Sequence, residues 1–460
     1  MISKRDGITM RNYSEYIIRT LLIIIVIPIM CSSCGFLGIR PTTENVNTYP
    51  NDLSYIYNPS RNTLNPRFNV ITKSDREATL GIMLIRNELL FSEANESGSL
   101  QSSVDIYVRL FNVTNNRILT DTLHTTINLL FNEELPEYIV DIPLRIETRS
   151  KYNVEVQIKD LLRHTSHHSF IPFNTLSDDN MYNYELLNAT NQSDIFGQVI
   201  RKDQYFNIRS LKSQPDSLYL YFYKPFETIP DPPSIIVPQK TFDYDPERTV
   251  VLPYSSDSPL MLPSKGIYRF SGDSMSTDGI TLFNFGPEYP QTTSPETMIE
   301  PLVYLTSEAE LYSIKTADNL KLALDNFWIS CGKNVEKARE LIRIYYTRVY
   351  YANLFFTSYT EGWKTERGMI YVMYGPPDKL YKTSEGESWG YLKPEIKSRW
   401  GNRVQVKEQY IYFNFKQREN QFTDNDYYLS RSESLISNWS QAVSSWRKGV
   451  VFRMDNPTDY

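Results

Sequence analysis

Two carboxylates and a guanidinium stand close together at Glu366, Arg367 and Asp378, with Trp363 just ahead and Tyr374, Trp389 and Tyr391 around and beyond them. Carboxyl groups beside aromatic plates are the equipment of sugar and peptide sites. One carboxyl gives a proton, the other takes one, and an indole stacks on the ligand. In that reading Glu366 and Asp378 are the acid/base pair and Trp363 is the platform. Thr365, Arg367, Tyr374, Trp389 and Tyr391 complete the candidate cleft. The same residues have a plainer use. Gly362 and Gly368 open backbone conformations closed to other residues, Trp363 buries a large apolar plate, and Thr365 braces a turn. Arg367 locks the loop, and Tyr374-Gly375-Pro376-Pro377-Asp378 ends a strand in a rigid turn. Glycine, tryptophan and proline serve backbone geometry better than proton transfer, so the scaffold reading is the stronger and no catalytic residue is assigned.

Other chemical constellations are thinner. His164-Thr165-Ser166-His167-His168 is the one histidine cluster in a chain with 4 His and 3 Cys, and with only Asp160 nearby it reads as a polar turn, with no metal or other cofactor expected. Cys331 has no base that spacing identifies and reads as buried filler beside Trp328. Ser445-Trp446-Arg447-Lys448 fits Ser-x-x-Lys but lacks its companion motifs, and no phosphate-cradling glycine loop occurs. A net charge of -6 supplies no cationic field for nucleic acid. The one biased patch, Lys393 to Arg418, sets Lys393, Lys397, Arg399, Arg403, Lys407, Lys416 and Arg418 against Glu395 and Glu408, and reads as solvated surface or a face toward anionic headgroups.

These residues need a scaffold, and 460 residues exceed one core. The expected fold class is multidomain β plus α+β. Period-two alternation at Val104/Ile106/Val108/Leu110, Val140/Ile142/Leu144/Ile146 and Tyr152/Val154/Val156/Ile158 predicts an immunoglobulin-like β-sandwich at 77–180. Strands broken by proline-rich loops predict a second β-rich domain at 181–307. From 308 to 460 an α+β domain is expected. Its long amphipathic helix carries Ala338, Leu341, Ile342, Tyr345, Val349, Ala352 and Phe356 on one stripe, and a short strand follows at Met369–Tyr374.

Ahead of the body, Lys4, Arg5, Arg11 and Arg19 precede the apolar run Leu21 to Met30, the pattern of a signal peptide too short for a stable anchor. Cys31-Ser32-Ser33-Cys34 resembles the lipobox of bacterial lipoproteins. Small Ser32 and Ser33 favour Cys34 over Cys31 as the acylated residue, with 1–33 as leader and 34–76 as a tether. No acidic residue follows in Gly35 to Pro41, which implies an outer-membrane lipoprotein facing the periplasm.

The run Gly362-Trp363-Lys364-Thr365-Glu366-Arg367-Gly368 resembles the GWxTD domain of bacterial envelope proteins. Phe327-Trp328, the helix ending Tyr345 to Asn353, and Trp389 with Tyr391 support the likeness over about 308–415. Glu366 stands where the family has Asp, and Ile329-Ser330-Cys331-Gly332 replaces an Arg-Asp-Pro stretch. The resemblance implies architecture and address but no reaction. The expectation is an outer-membrane-anchored, non-enzymatic scaffold or interaction subunit. Membrane lipid is held through Cys34, envelope proteins dock through the C-terminal domain, and neither nucleic acid nor metal is a partner. The alternative is a periplasmic glycan binder or glycoside-type hydrolase using Glu366 and Asp378.

Overall fold

The computed structural model describes residues 52–454, apart from 62–63, 94–97, 213, 234, 236–243, 384, 394, 401–402 and 432–435. The expected leader, Cys31 and Cys34 lie outside the described residues, as do the side chains at the centre of the basic patch.

Alternating apolar residues build the first region as two antiparallel sheets. One sheet joins β1 (Arg67–Thr72), β2 (Glu77–Ile85) and β6 (Glu137–Arg145) in the order β1-β2-β6. The other joins β3 (Ser92–Glu93), β4 (Leu100–Asn112), β5 (Ile118–Leu130), β7 (Lys151–Asp160) and β8 (Ser166–Asn174). Val104, Ile106, Val108 and Leu110 of β4 and Val154, Val156 and Ile158 of β7 share one buried cluster with Leu80, Ile82 and Leu84 of β2 and Ile142 and Leu144 of β6. Each strand thus turns its apolar period toward the facing sheet.

The second β region pairs β9 (Tyr184–Asn188) with β10 (Phe206–Ser210). It also holds a four-stranded sheet of β11 (Ser217–Tyr223), β12 (Arg248–Pro253), β13 (Gly266–Ser271) and β14 (Ile280–Asn284), ordered β12-β11-β13-β14. Phe206, Ile208, Tyr268, Phe270 and Leu282 meet in its core.

The third region is α+β. Helices α1 (Pro295–Ile299), α2 (Glu308–Lys315), α3 (Leu320–Gly332), α4 (Val335–Phe356), α5 (Glu366–Tyr374) and α6 (Ile436–Arg447) accompany a sheet ordered β15-β16-β19-β20: Lys379–Lys382, Gly386–Leu392, Tyr410–Gln417 and Tyr427–Leu429. A separate hairpin joins β17 (Glu395–Trp400) to β18 (Arg403–Lys407). The helix starts are written locally. Ser294, Ser307, Asn319, Asn334 and Thr365 each precede a helix, and each side chain accepts a first-turn N–H. In α4 the stripe of Ala338, Leu341, Tyr345, Val349, Ala352 and Phe356 is buried while Glu336, Arg339 and Glu340 are exposed.

The structure differs from two sequence expectations. Met369–Tyr374, expected as a strand, belongs to α5. Every residue from Arg367 to Tyr374 is buried, so the run has no amphipathic period to separate helix from strand. The expected tether also ends early. Leu53, Ile56 and Tyr57, around a short 3-10 turn, are buried in the C-terminal core, and Arg67–Thr72 is a sandwich strand. A segment of that length is too short to show a period.

Candidate functional site in the C-terminal core

The glycines come first because they let the elements touch. The 3-10 turn Gly362–Lys364 lies across α4, and a Cβ on Gly362 would stand 2.1 Å from the Ala352 carbonyl oxygen. A Cβ on Gly368 would stand 1.9 Å from the carbonyl oxygen of Gly362 itself. No side chain fits either position, so α4, the turn and α5 pack backbone against backbone. Thr365 then starts α5: its hydroxyl donates to Gly362 O at 2.7 Å and accepts from Gly368 N–H at 3.0 Å. Trp363 is fixed at three points. Its backbone N–H donates to Asn353 Oδ1 (3.1 Å), its indole N–H to Glu361 (3.1 Å), and its carbonyl accepts from Tyr304 (2.8 Å).

The far end of α5 is equally committed. A helix end sealed from water must find partners for its carbonyls. Half-buried Arg348 donates to Val372 O and Met373 O at 3.2 and 3.0 Å, Trp446 Nε1 donates to Met373 O at 3.1 Å, and Tyr391 donates to Gly375 O at 2.7 Å. The cation also suits the negative end of the helix. Burial pushes the Arg348 pKa down to about 10 against the pull of Tyr371 and Tyr391, and still leaves it charged.

The electrostatic centre is Glu387 on β16, whose side chain is 1% exposed. Its Oε1 accepts from Tyr57 OH at 2.9 Å, Arg367 at 3.1 Å and Lys382 at 3.1 Å, and its Oε2 from Trp389 Nε1 at 2.9 Å. Burial alone would raise this carboxyl's pKa, but Lys382 and Arg367, with the Trp389 and Tyr57 hydrogen bonds, hold it at about 2. Arg367 continues outward: its other terminal nitrogen bonds Asn425, and its plane lies 3.7 Å from the ring centre of Tyr427.

The aromatic residues of the candidate cleft, with Arg367, are therefore core residues, while Thr365 and Glu366 are half-buried and Asp378 is exposed. Trp363, Trp389 and Tyr391 are 2%, 0% and 3% exposed, so they wall no open cleft, and Tyr374 packs against Tyr391 and Phe413. Glu366 accepts the Leu429 N–H at 2.5 Å and pairs with Arg431 at 3.0 Å. Burial lifts its pKa above the ordinary value against the opposing pull of Arg431. Asp378 accepts the Leu392 N–H at 2.9 Å. The two carboxylates serve different backbone partners and do not form the expected acid/base pair. Beside Trp363 a shallow groove is lined by Glu288, Glu300 and Glu361. Glu300 and Glu361 bind Lys364, and Glu288 accepts the Thr293 and Ser294 N–H groups.

Sequence reasoning missed Glu387, Tyr57, Lys382 and Arg348. Glu387 had a readable sign: it shares a strand face with Trp389 and Tyr391 at period two, so a buried face had to contain a carboxylate. His167 and His168 sit on β8. His168 bonds Glu155 at 2.9 Å, and His167 contacts Ser169 at 2.7 Å and Leu64 O at 3.2 Å. Cys331 is buried in the C-terminal core, and burial raises its pKa.

The family model described as GWxTD domain matches residues 266–448. The chain carries a GWxTD domain. The match begins at β13, so the GWxTD domain reaches further toward the N-terminus than the motif alone suggested and includes β13, β14 and α1. No curated protein matches the chain. Among solved structures, a beta-glucuronidase of Bacteroides uniformis is 14% identical, covering 27% of this chain and 14% of that one, with a TM-score of 0.17. A putative beta-galactosidase from Bacteroides fragilis is 9% identical, covering 31% and 20%, also with a TM-score of 0.17. The chain thus spans a small part of these proteins' length, and likenesses of this size carry no argument about its fold or activity.

Proposed function

We propose that the protein is a non-enzymatic interaction subunit of a bacterial envelope assembly, tied to the outer membrane through acylated Cys34. In this reading the GWxTD domain is the rigid body, and the first two sheets, read as an immunoglobulin-like sandwich, supply the docking edge. The observation that carries it is a contrast in commitment. The charged groups of the motif are engaged internally, whereas the sandwich offers an edge. Among the described residues β5 pairs only with β4. Ile118 and Leu119 at its start and Leu130 at its end are 58%, 51% and 61% exposed, and Phe131, Leu135 and Ile139, which follow in the chain, are exposed too. Between these apolar ends the exposed positions of β5 are Thr120, Thr122, His124, Thr126 and Asn128, and a long edge strand with apolar ends and no lysine or arginine on it invites strand addition or a partner face.

The test is photo-cross-linking in cells with a reactive residue at 118 or 130, and at the exposed Tyr312 of the GWxTD domain as control. The expected result is one envelope protein captured from both β5 positions, abolished by Leu119→Asp, with Cys34→Ala releasing the protein from membranes. Capture from position 312 alone, or unchanged acylation and sedimentation of Cys34→Ala, would overturn the reading.

A further inference from the structure

We propose that the second β region carries a binding site for a neutral sugar, separate from the GWxTD domain and from the β5 edge. Its frame is the start of β10. Phe206 pairs with Asn188 of β9 on one side and bridges Leu260 on the other. Phe206 and Ile208 point into the core, 0% and 1% exposed, so Tyr205 and Asn207 take the opposite face. On that face an open pocket forms between the turn holding Thr190 and Gln192 and the loop holding Asp257 and Pro259, with Tyr205 and Asn207 lining it.

Two observations point to a ligand. Tyr205 leaves a large aromatic side chain 52% exposed at the pocket, a flat apolar surface of the kind a pyranose C–H face covers. Asn207 is the reverse case. It is 2% exposed, yet its side-chain oxygen is buried with no hydrogen-bond partner. A polar atom in that state calls for a donor from outside the chain, and a sugar hydroxyl is a donor that also accepts. The remaining groups fit the same chemistry. Thr190, Gln192 and Asp257 offer a hydroxyl, an amide and a carboxylate around the ring position. No lysine or arginine lines the pocket among the described residues, and the one charged group is Asp257, which disfavours phosphate, sulfate or uronate ligands. The pocket lies within 189–259, ahead of the family match at 266–448, so its fate does not depend on that domain's role.

The experiment is calorimetric titration of the full-length protein in detergent with four neutral hexasaccharides (manno-, xylo-, laminari- and N-acetylchito-hexaose) and a heparin hexasaccharide as the anionic probe. At least one neutral sugar should bind. Tyr205→Ala should weaken that binding about tenfold or more, the size of one lost stacking contact. Asn207→Leu should weaken it comparably while leaving the melting temperature unchanged or higher, because an unpaired buried acceptor is removed. If Asn207→Leu fails to fold, Tyr205→Ala at its half-exposed position still decides. The proposal is overturned if none of the neutral sugars binds by about 5 mM, a level already weaker than useful recognition, if heparin binds more tightly than all four, or if Tyr205→Ala binds like the parent.

Discussion

Two buried carboxylates, Glu155 in the sandwich and Glu387 in the GWxTD domain, do different jobs with similar chemistry. Glu155 on β7 is held by its own sheet. Arg109, its cross-strand partner on β4, donates at 2.6 Å, and His168 on neighbouring β8 lies at 2.9 Å. Burial would raise its pKa, but His168 and Arg109 lower it. Glu387 instead gathers groups from four places: Tyr57 near the first described residues, Arg367 on α5, Lys382 on β15 and Trp389 on its own strand. The first pins one sheet in register, while the second joins a helix, a sheet and a distant segment. A carboxylate held by strand neighbours adds to a register the backbone already fixes. One held by remote elements is part of what brings them together.

That contrast can be broken by experiment. The largest effect is expected for Arg367→Ala, which leaves Glu387 buried with one cation fewer. Urea unfolding should show a loss of about 3–5 kcal/mol, and a loss no greater than that of the sandwich variant below would erase the distinction. Next is acid sensitivity. The Glu387 carboxyl is held down at about 2 in the folded protein, against an ordinary value of 4.5. Its contribution is therefore complete above pH 4.5 and lost as the pH falls toward 2, in total about 3 kcal/mol. Stability curves from pH 6 to about 2 should be flatter in Glu387→Gln than in the parent. Glu155→Gln should cost less, about 1–2 kcal/mol, because Arg109 is part exposed and can turn to water. The smallest change sharpens the comparison most. Tyr57→Phe removes a single donor from Glu387, and a loss of about 1 kcal/mol that vanishes in the Glu387→Gln background would show that the tyrosine acts through the carboxylate.

Legibility followed the same divide. Where one face meets water, as in β4, β7 and α4, the apolar period was plain, and Val104, Ile106, Val108 and Leu110 are buried as their spacing implied. Where an element is enclosed, the period vanishes, and α5 read as a strand. Its cap was nonetheless written in Thr365, Glu366 and Gly375, which the apolar run overshadowed. The candidate cleft failed for a related reason. Trp363, Trp389, Glu366 and Asp378 form a set only by nearness along the chain, and their bonding partners are Asn353, Glu387, Arg431 and Leu392. Glycine spacing, by contrast, carried the domain's identity correctly, since a position that admits no Cβ leaves the sequence no alternative.

The placement of residues 52–57 has a mechanical consequence. Leu53 N–H bonds Leu380 O, the Asp52 carboxylate accepts the Leu380 N–H, and Tyr57 reaches Glu387, all before the chain enters its first sandwich strand. Tension applied at residue 52 is therefore borne first by the edge strand β15 and the Glu387 cluster, and the two β regions hang outside the load path. If the chain is tethered by its start, the part of the molecule that resists being pulled away is the one numbered last.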